Sequence, residues 1–309
     1  MTEHKKTNEV PRRQFIALSG AIGAATLLTG AGVKGSTART DDPGPGYGED
    51  PCTCPTPPTS PPGAAQSPCP PTQLQGLCGK PTDNDALWHD VQYCTQGIVP
   101  PAPQPKPNCL KTTSNYVVLH GKPETQHNYL LLPSCRITGI ECPFLVTSGV
   151  ANYWNDAWEN ARSGGSVPVQ FPNIGLGINS TSARRFNQLH IHMAGVRASV
   201  QRRLQELQSM SRVATHPAQW AANQELITSA DGAGDRTYRI LLLPNLTQNL
   251  FALLDQYVVR PNGLSMAGQM MIVVPKMSAT GFAGSFYVLN SDSSLPSGTN
   301  TCDRLLVYR

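Results

Sequence analysis

Two hydrophobic periods alternate along the chain beyond residue 74. Tyr116-Val117-Val118-Leu119-His120 and Asn128-Tyr129-Leu130-Leu131-Leu132 are short apolar runs joined by a polar turn. This pattern predicts two adjacent strands, the second stopped by Pro133. Trp154, Ala157, Trp158 and Ala161 recur at helical spacing, so residues 152–162 are expected to form an amphipathic helix. Gly175-Leu176-Gly177-Ile178 leads into a polar loop at Asn179-Ser180. Val200, Leu204 and Leu207 mark a further helix, residues 238–243 a strand, and Leu246, Leu250, Leu253, Leu254 and Tyr257 another helix. Strands over residues 270–274 and 286–289 complete the set. Short strands with tight turns and interspersed helices predict an α+β fold with a mainly antiparallel sheet and packed helices.

One segment breaks the apolar regularity. In Gln188-Leu189-His190-Ile191-His192-Met193, polar and apolar residues alternate with the period of a strand. Gln188, His190 and His192 are expected on one face, and Leu189, Ile191 and Met193 on the other. A strand face of imidazoles and an amide suits a phosphate or a metal better than a core.

The chain ahead of residue 74 has a different character. Arg12-Arg13-Gln14-Phe15-Ile16 is a twin arginine followed by an aromatic and an aliphatic residue, and residues 16–33 form a weakly hydrophobic run rich in Gly and Ala. This has the pattern of a twin-arginine export signal over residues 1–38, with small residues for cleavage after Ala38. The run is barely long enough for a membrane anchor, and its Gly and Ala content makes it a poor one. No later segment could span a bilayer. Residues 39–73, rich in Pro, Gly and Ser, predict a semi-extended linker, and residues 74–309 the folded domain. The Pro-rich residues 100–107 predict a surface loop.

Composition adds constraints. At 39% hydrophobic and 14% charged residues, the 309-residue chain can bury a core. A net charge of +4 is too mild to argue for nucleic acid and is compatible with acidic small molecules or anionic lipid surfaces. Nine cysteines fit an oxidising destination, and the odd count leaves at least one unpaired within the chain. Cys94 and Cys109, flanking the Pro-rich loop, are the favoured pair, and Cys135 and Cys142 are close enough to close a small loop. Cys52, Cys54, Cys69 and Cys78 lack the spacing of a zinc ribbon.

The candidate chemistry lies within about twenty residues, close together as a site requires. Asn179 and Ser180 end a strand, Arg184 and Arg185 follow, and then come Gln188, His190 and His192. Arginine and amide donors suit phosphate oxygens. A neutral imidazole can attack phosphorus, and two histidines can equally hold a metal. The metal reading needs a third ligand, for which His120, His127 and His216 are available. Arg136, Thr138 and Glu141 follow a strand end, where Arg136 fits either a phosphate contact or a surface salt bridge. Arg202 and Arg203 fit a solvated helix face. Trp154 and Trp158 fit the core.

The stretch Gly177-Ile178-Asn179-Ser180, a short basic loop, and Asn187-Gln188-Leu189-His190-Ile191-His192 resembles the active-site segment of the histidine-triad superfamily. More closely it resembles the CDP-diacylglycerol pyrophosphatase family. Tyr116–Leu119, Tyr129–Pro133, Arg136-Ile137-Thr138-Gly139-Ile140-Glu141, the Cys94 to Cys109 region and Cys302 fit that family's order. The resemblance implies a histidine-triad-like fold and hydrolysis of CDP-diacylglycerol to CMP and phosphatidate. It makes His190 the catalytic nucleophile and His192 a second catalytic residue, in contact with the α-phosphate or the leaving oxygen. Asn179, Ser180, Arg184, Gln188 and Arg136 become substrate-binding residues, Arg136 toward phosphate or cytidine, and Trp154 and Trp158 become the alternative lining of an acyl-chain groove. Gln188 stands where the superfamily carries its first histidine, a departure that an amide can partly serve. A protein nucleophile requires no metal and no cofactor. The implied partners are the lipid nucleotide and a membrane surface, with no nucleic acid, at the outer face of the cytoplasmic membrane or in the periplasm. The alternatives are a histidine-triad hydrolase or transferase for a soluble nucleotide, or a non-catalytic metal- or lipid-binding relative.

Overall fold

A computed structural model describes residue 74 and residues 76–168 and 173–308. The twin-arginine segment, the whole Pro-rich stretch ahead of residue 74, and with it Cys52, Cys54 and Cys69 lie outside these residues. Ten strands form one sheet: β1 (Asn108–Thr112), β2 (Tyr116–His120), β3 (Tyr129–Pro133), β4 (Ile174–Ile178), β5 (Ile191–Val196), β6 (Gln224–Thr228), β7 (Asp235–Leu243), β8 (Met270–Ser278), β9 (Gly281–Ser291) and β10 (Leu306–Val307). Their spatial order is β1-β2-β3-β5-β4-β8-β9-β7-β6, with β10 paired to β5, and every ladder between these strands is antiparallel. The helices are α1 (Ala86–Gln96), α2 (Tyr153–Ala161), α3 (Ala198–Ser209) and α4 (Leu250–Leu254). The α+β expectation, with its antiparallel sheet and packed helices, is met.

The period-two and period-3.6 segments fold as their patterns predict, with two differences. The helix expected from Leu246 to Tyr257 is α-helical only over Leu250–Leu254, where Asn249 caps its first N–H groups, and it continues as a π-helical turn over Asp255–Val259. The strand expected from Gln188 begins only at Ile191. Leu189 N–H donates instead to the Ile137 carbonyl at 2.6 Å, so the backbone ahead of Ile191 pairs with the loop after β3.

Alternation along β5 sets the two faces of the sheet. Ile191 and Met193 enter a core shared with α2 and α4, including Trp154, Leu176, Phe251 and Val273. Ala194 and Val196 point the other way, toward Val200, Leu204 and Leu207 of α3. His192 shares their parity and pairs across the ladders with Leu130 on β3 and Gly177 on β4. Leu130 belongs to the patch that α1 covers with Leu87, Trp88 and Val91. His192 therefore stands in the gap between the surfaces covered by α1 and by α3.

The C-terminal segment occupies part of that gap. A Cβ on Gly177 would lie 2.7 Å from Cys302 Cβ and 2.9 Å from its Sγ, and one on Gly175 would lie 2.7 Å from Leu306 Cδ2. Bare backbone on β4 thus lets the Cys302–Val307 segment lie against the sheet beside His192.

Two disulfides lie among the described residues. Cys94–Cys109 ties the end of α1 to β1, as expected. Cys142 does not pair with Cys135 but with Cys78, with Cα atoms 4.7 Å apart, and Cys135 is disulfide-bonded separately. The reason is tertiary. The segment at Leu77 and Cys78 lies against the loop after β3, where Thr138 donates its backbone N–H to the Cys78 carbonyl and its hydroxyl to that of Leu77. A Cys78–Cys142 loop of this length restricts the unfolded chain by about 4 kcal/mol in the chain-entropy account. Cys302 is a buried free thiol.

The packing at Gly177 is testable by thermal unfolding. Gly177→Ala should destabilise the protein by about 1–3 kcal/mol through overpacking against Cys302. Gly268→Ala, where an added methyl meets nothing within 4 Å, should change stability by less than about 0.5 kcal/mol. Equal effects at the two glycines would show that the C-terminal segment does not lie against β4.

Candidate active site

The two histidines stand edge to face, with ring centroids 4.9 Å apart. His190 Nδ1 lies 2.6 Å from the Gln188 carbonyl. A carbonyl only accepts, so Nδ1 carries the proton and Nε2 keeps its lone pair. His192 Nδ1 lies 3.1 Å from Asn128 Oδ1, which fixes the same tautomer there. Burial pushes the His190 pKa below the ordinary imidazole value, and the positive charge of Arg184 adds to the effect against the Gln188 carbonyl, Asp85 and Asp303. His192 moves down too, first by burial and then by repulsion from His190. Both rings are neutral at pH 7, and a neutral ring with a free Nε2 is the form that can act as a nucleophile.

A buried framework holds the Gln188 carbonyl in place. Gln188 is fully buried and its side-chain amide is committed. Nε2 donates to the Cys135 carbonyl at 2.8 Å and the Pro133 carbonyl at 3.2 Å, and Oε1 accepts from Arg136 at 3.0 Å. The Arg136 guanidinium is 5% exposed and also bonds the Asn187 carbonyl and the Asp83 carboxylate. The Asn187 N–H donates at 2.7 Å to Asp85, whose other oxygen caps α1 at Trp88. The Gln188 amide and the Arg136 guanidinium, expected to contact phosphate, are thus both engaged in this framework. Removing the Gln188 amide would leave two buried carbonyls and a guanidinium short of partners, each costing about 1–3 kcal/mol.

The remaining expected residues divide. Asn179 is buried and accepts the Cys302 N–H on Oδ1 at 2.7 Å, and its amide nitrogen has no partner among the described residues. It lines the cavity in front of the histidines, where it can donate. Ser180 is fully buried with its hydroxyl on Ser182, and its carbonyl closes the turn to Ala183 and Arg184, so it shapes the loop without reaching the cavity. Arg184 forks onto Glu141 at 2.5 and 2.7 Å, an arrangement that needs Gly139, where any Cβ would overlap the guanidinium. Its Nε bonds Asn187. Arg184 thus acts on His190 through its field, with its donors already committed.

The cavity has a volume of about 540 Å³. Leu87, Leu119, Leu130 and Phe186 form an apolar wall, and Asn179, His190, His192, Asp303, Lys122 and Arg185 a polar one. Arg185, exposed and 5.2 Å from the Phe186 ring centroid, is the arginine of the basic loop that lines the cavity. Asn128, Lys122 and Asp303 were not among the sequence candidates. Asn128 carried a local signal, since it ends the turn into the strand that pairs with His192. Asp303 carried none, because it lies more than a hundred residues from either histidine. His216 caps a turn at Ala218 and His120 bonds the Gln126 carbonyl, and neither converges with His192 as a metal ligand. Trp154 is core, its ring tilted against Phe251 with centroids 5.7 Å apart, and Trp158 lines a different cavity with Phe282.

The tautomer and the direction of the shift can be measured together. Nitrogen-15 chemical shifts of His190 should report Nδ1–H at neutral pH, with a titration midpoint below about 6.5. A folded-state value below the unfolded one means the unfolded chain binds the proton more readily. Stability should therefore fall as pH drops from about 6.5 toward the folded value, and these rings should add no pH dependence above about 6.5. An Nε2–H tautomer, or a midpoint at or above the ordinary value, would contradict the geometry.

A family model described as CDP-diacylglycerol pyrophosphatase matches residues 82–306. The chain is similar to a Yersinia pestis CDP-diacylglycerol pyrophosphatase, 34% identical over 123 residues that cover 38% of this chain and 46% of that protein. It is also similar to a Mycobacterium leprae probable CDP-diacylglycerol pyrophosphatase, 43% identical over 75 residues covering 23% and 27% of the two chains. A Mycobacterium tuberculosis CDP-diacylglycerol pyrophosphatase is 42% identical over 73 residues, covering 22% and 27%. The matched segments span less than half the length of these relatives, whereas the family match runs from the start of α1 to β10. On that match the chain belongs to the CDP-diacylglycerol pyrophosphatase family.

Proposed function

We propose that this protein hydrolyses the phosphoanhydride of CDP-diacylglycerol through a covalent nucleotidyl-histidine, in a histidine-triad-like catalytic domain over residues 74–309. The observation that carries the reading is His190, whose Nδ1–H is held by the Gln188 carbonyl while Nε2 retains its lone pair. Nε2 attacks the CMP phosphorus, an N–P bond forms, and the P–O bond to the phosphatidate phosphate breaks. Water then attacks the same phosphorus, the N–P bond breaks, and CMP leaves. His192, the Asn179 amide and the cations Arg185 and Lys122 are available to the phosphate oxygens. Asp303 favours the protonated form of both histidines, so it would stabilise an imidazolium as it develops.

The cavity suits the nucleotide diphosphate and the glycerol better than two acyl chains, which would stay in a membrane surface. The disulfides fit an oxidising compartment. Among the described residues no helix is long and apolar enough to cross a membrane. We assign residues 1–38 to twin-arginine export and residues 39–73 to a linker, with action in the periplasm or at the outer face of the cytoplasmic membrane.

Rapid-quench mass spectrometry of the protein mixed with detergent-dispersed CDP-diacylglycerol should detect a CMP-sized adduct that is absent from His190→Ala. That variant should lose at least about 10⁴-fold in kcat, and Asn179→Ala about 10²–10³-fold. Faster cleavage of a soluble nucleotide than of the lipid would transfer the same chemistry to another substrate. Unimpaired hydrolysis by His190→Ala would end the covalent reading. Replacing Arg12 and Arg13 by lysines should leave the protein in the cytoplasmic fraction, and unchanged export would exclude the twin-arginine route.

A further inference from the structure

Two residues of the cavity's polar wall, His192 and Asp303, converge with the buried thiol of Cys302 behind it. A ring nitrogen of His192, Cys302 Sγ and a carboxylate oxygen of Asp303 all lie within 4.8 Å of one another. Imidazole, thiol and carboxylate together form the borderline-soft donor set that Zn²⁺ takes in three-ligand sites with one open position. With Zn–N and Zn–O near about 2.0–2.2 Å and Zn–S near about 2.3 Å, tetrahedral ligand atoms stand roughly 3.2–3.8 Å apart. Cys302 Sγ and Asp303 Oδ1 already lie 3.8 Å apart, so closing the triangle needs shifts of no more than about 1 Å in the remaining separations.

The surroundings already orient each donor. His192 donates Nδ1–H to Asn128, which leaves Nε2 as the coordinating nitrogen, and metal-binding histidines are typically braced in this way. The Tyr308 hydroxyl donates to Asp303 Oδ1. The Cys302 N–H is fixed on Asn179, and its side chain lies in the space that Gly177 leaves free. His192 and Asp303 line the cavity, so the fourth position faces solvent.

We propose that His192, Cys302 and Asp303 form a Zn²⁺ site and that the ion, when bound, switches hydrolysis off by occupying the His192 nitrogen that the phosphate needs. On binding, the Cys302 S–H bond breaks, its proton goes to water, and a Zn–S bond forms, with no change of oxidation state. The inhibitory part rests on the reading of His192 given above; the metal site does not.

The test uses the full chain with its disulfides intact and Co²⁺ as a spectroscopic probe. Titration should develop a thiolate-to-Co²⁺ charge-transfer band saturating at one equivalent, displaced by Zn²⁺ and absent from both Cys302→Ser and His192→Ala. In the CDP-diacylglycerol assay, Zn²⁺ should inhibit the wild type reversibly on chelation, with Cys302→Ser active and at least about tenfold less sensitive. No thiolate band in the wild type, or a band that persists in Cys302→Ser, would overturn the site. A band with the expected variant pattern but no zinc inhibition would keep the site and overturn the switch. If the lipid is not hydrolysed at all, the band still decides the site, so the two proposals fail separately.

Discussion

The site depends on a buried guanidinium. Arg136 joins Asp83, the Asn187 carbonyl and the Gln188 side chain, and in doing so fixes the one carbonyl that holds His190. A charge this deep is tolerated only when its donors are satisfied and a carboxylate is close. It is therefore also a point where one lost partner would propagate. Gln188 extends the same framework to the carbonyls of Pro133 and Cys135, so the exit of β3 and the entry to β5 form a single hydrogen-bonded unit. The Gln188 amide is thus fully engaged within this unit, which holds the carbonyl that fixes His190.

Electrostatics then selects the chemistry of the pair. Burial dominates at both rings and favours the neutral state, and Arg184, spent on Glu141, reinforces it at His190. Asp303 pulls in the opposite direction. The balance leaves a neutral imidazole with a free Nε2 at His190. Asp303 and Cys302 reach His192 on one short C-terminal segment, which can lie there only because β4 carries glycine at 175 and 177.

Several elements were legible because their cause is local. β2, β3 and β4 follow from apolar runs with turn residues at their ends, and α2 and α3 from apolar spacing at the helical period. What escaped has weak local patterning. β1 is an edge strand with no fully buried residue, β6 follows a turn-rich stretch, and β10 is two residues long and exists only through its pairing with β5. α1 carries an N-cap at Asp85 but only a shallow apolar face, which acquires meaning from the surface of β2 and β3 beneath it.

The pair of histidines, their polar alternation and the neighbouring basic loop are fixed by residue type at short range, and the same short range made Cys94 and Cys109 the favoured pair. Tertiary structure alone decided how those groups are used. Arg184 is taken by Glu141, Ser180 turns inward, Gln188 and Arg136 brace a loop, and Cys142 finds Cys78 across 64 residues. Asn128 and Asp303 arrive at His192 from distant strands and loops. A donor's availability depends on which acceptors lie within 3 Å after folding, and sequence spacing carries that information only where the chain itself enforces the distance.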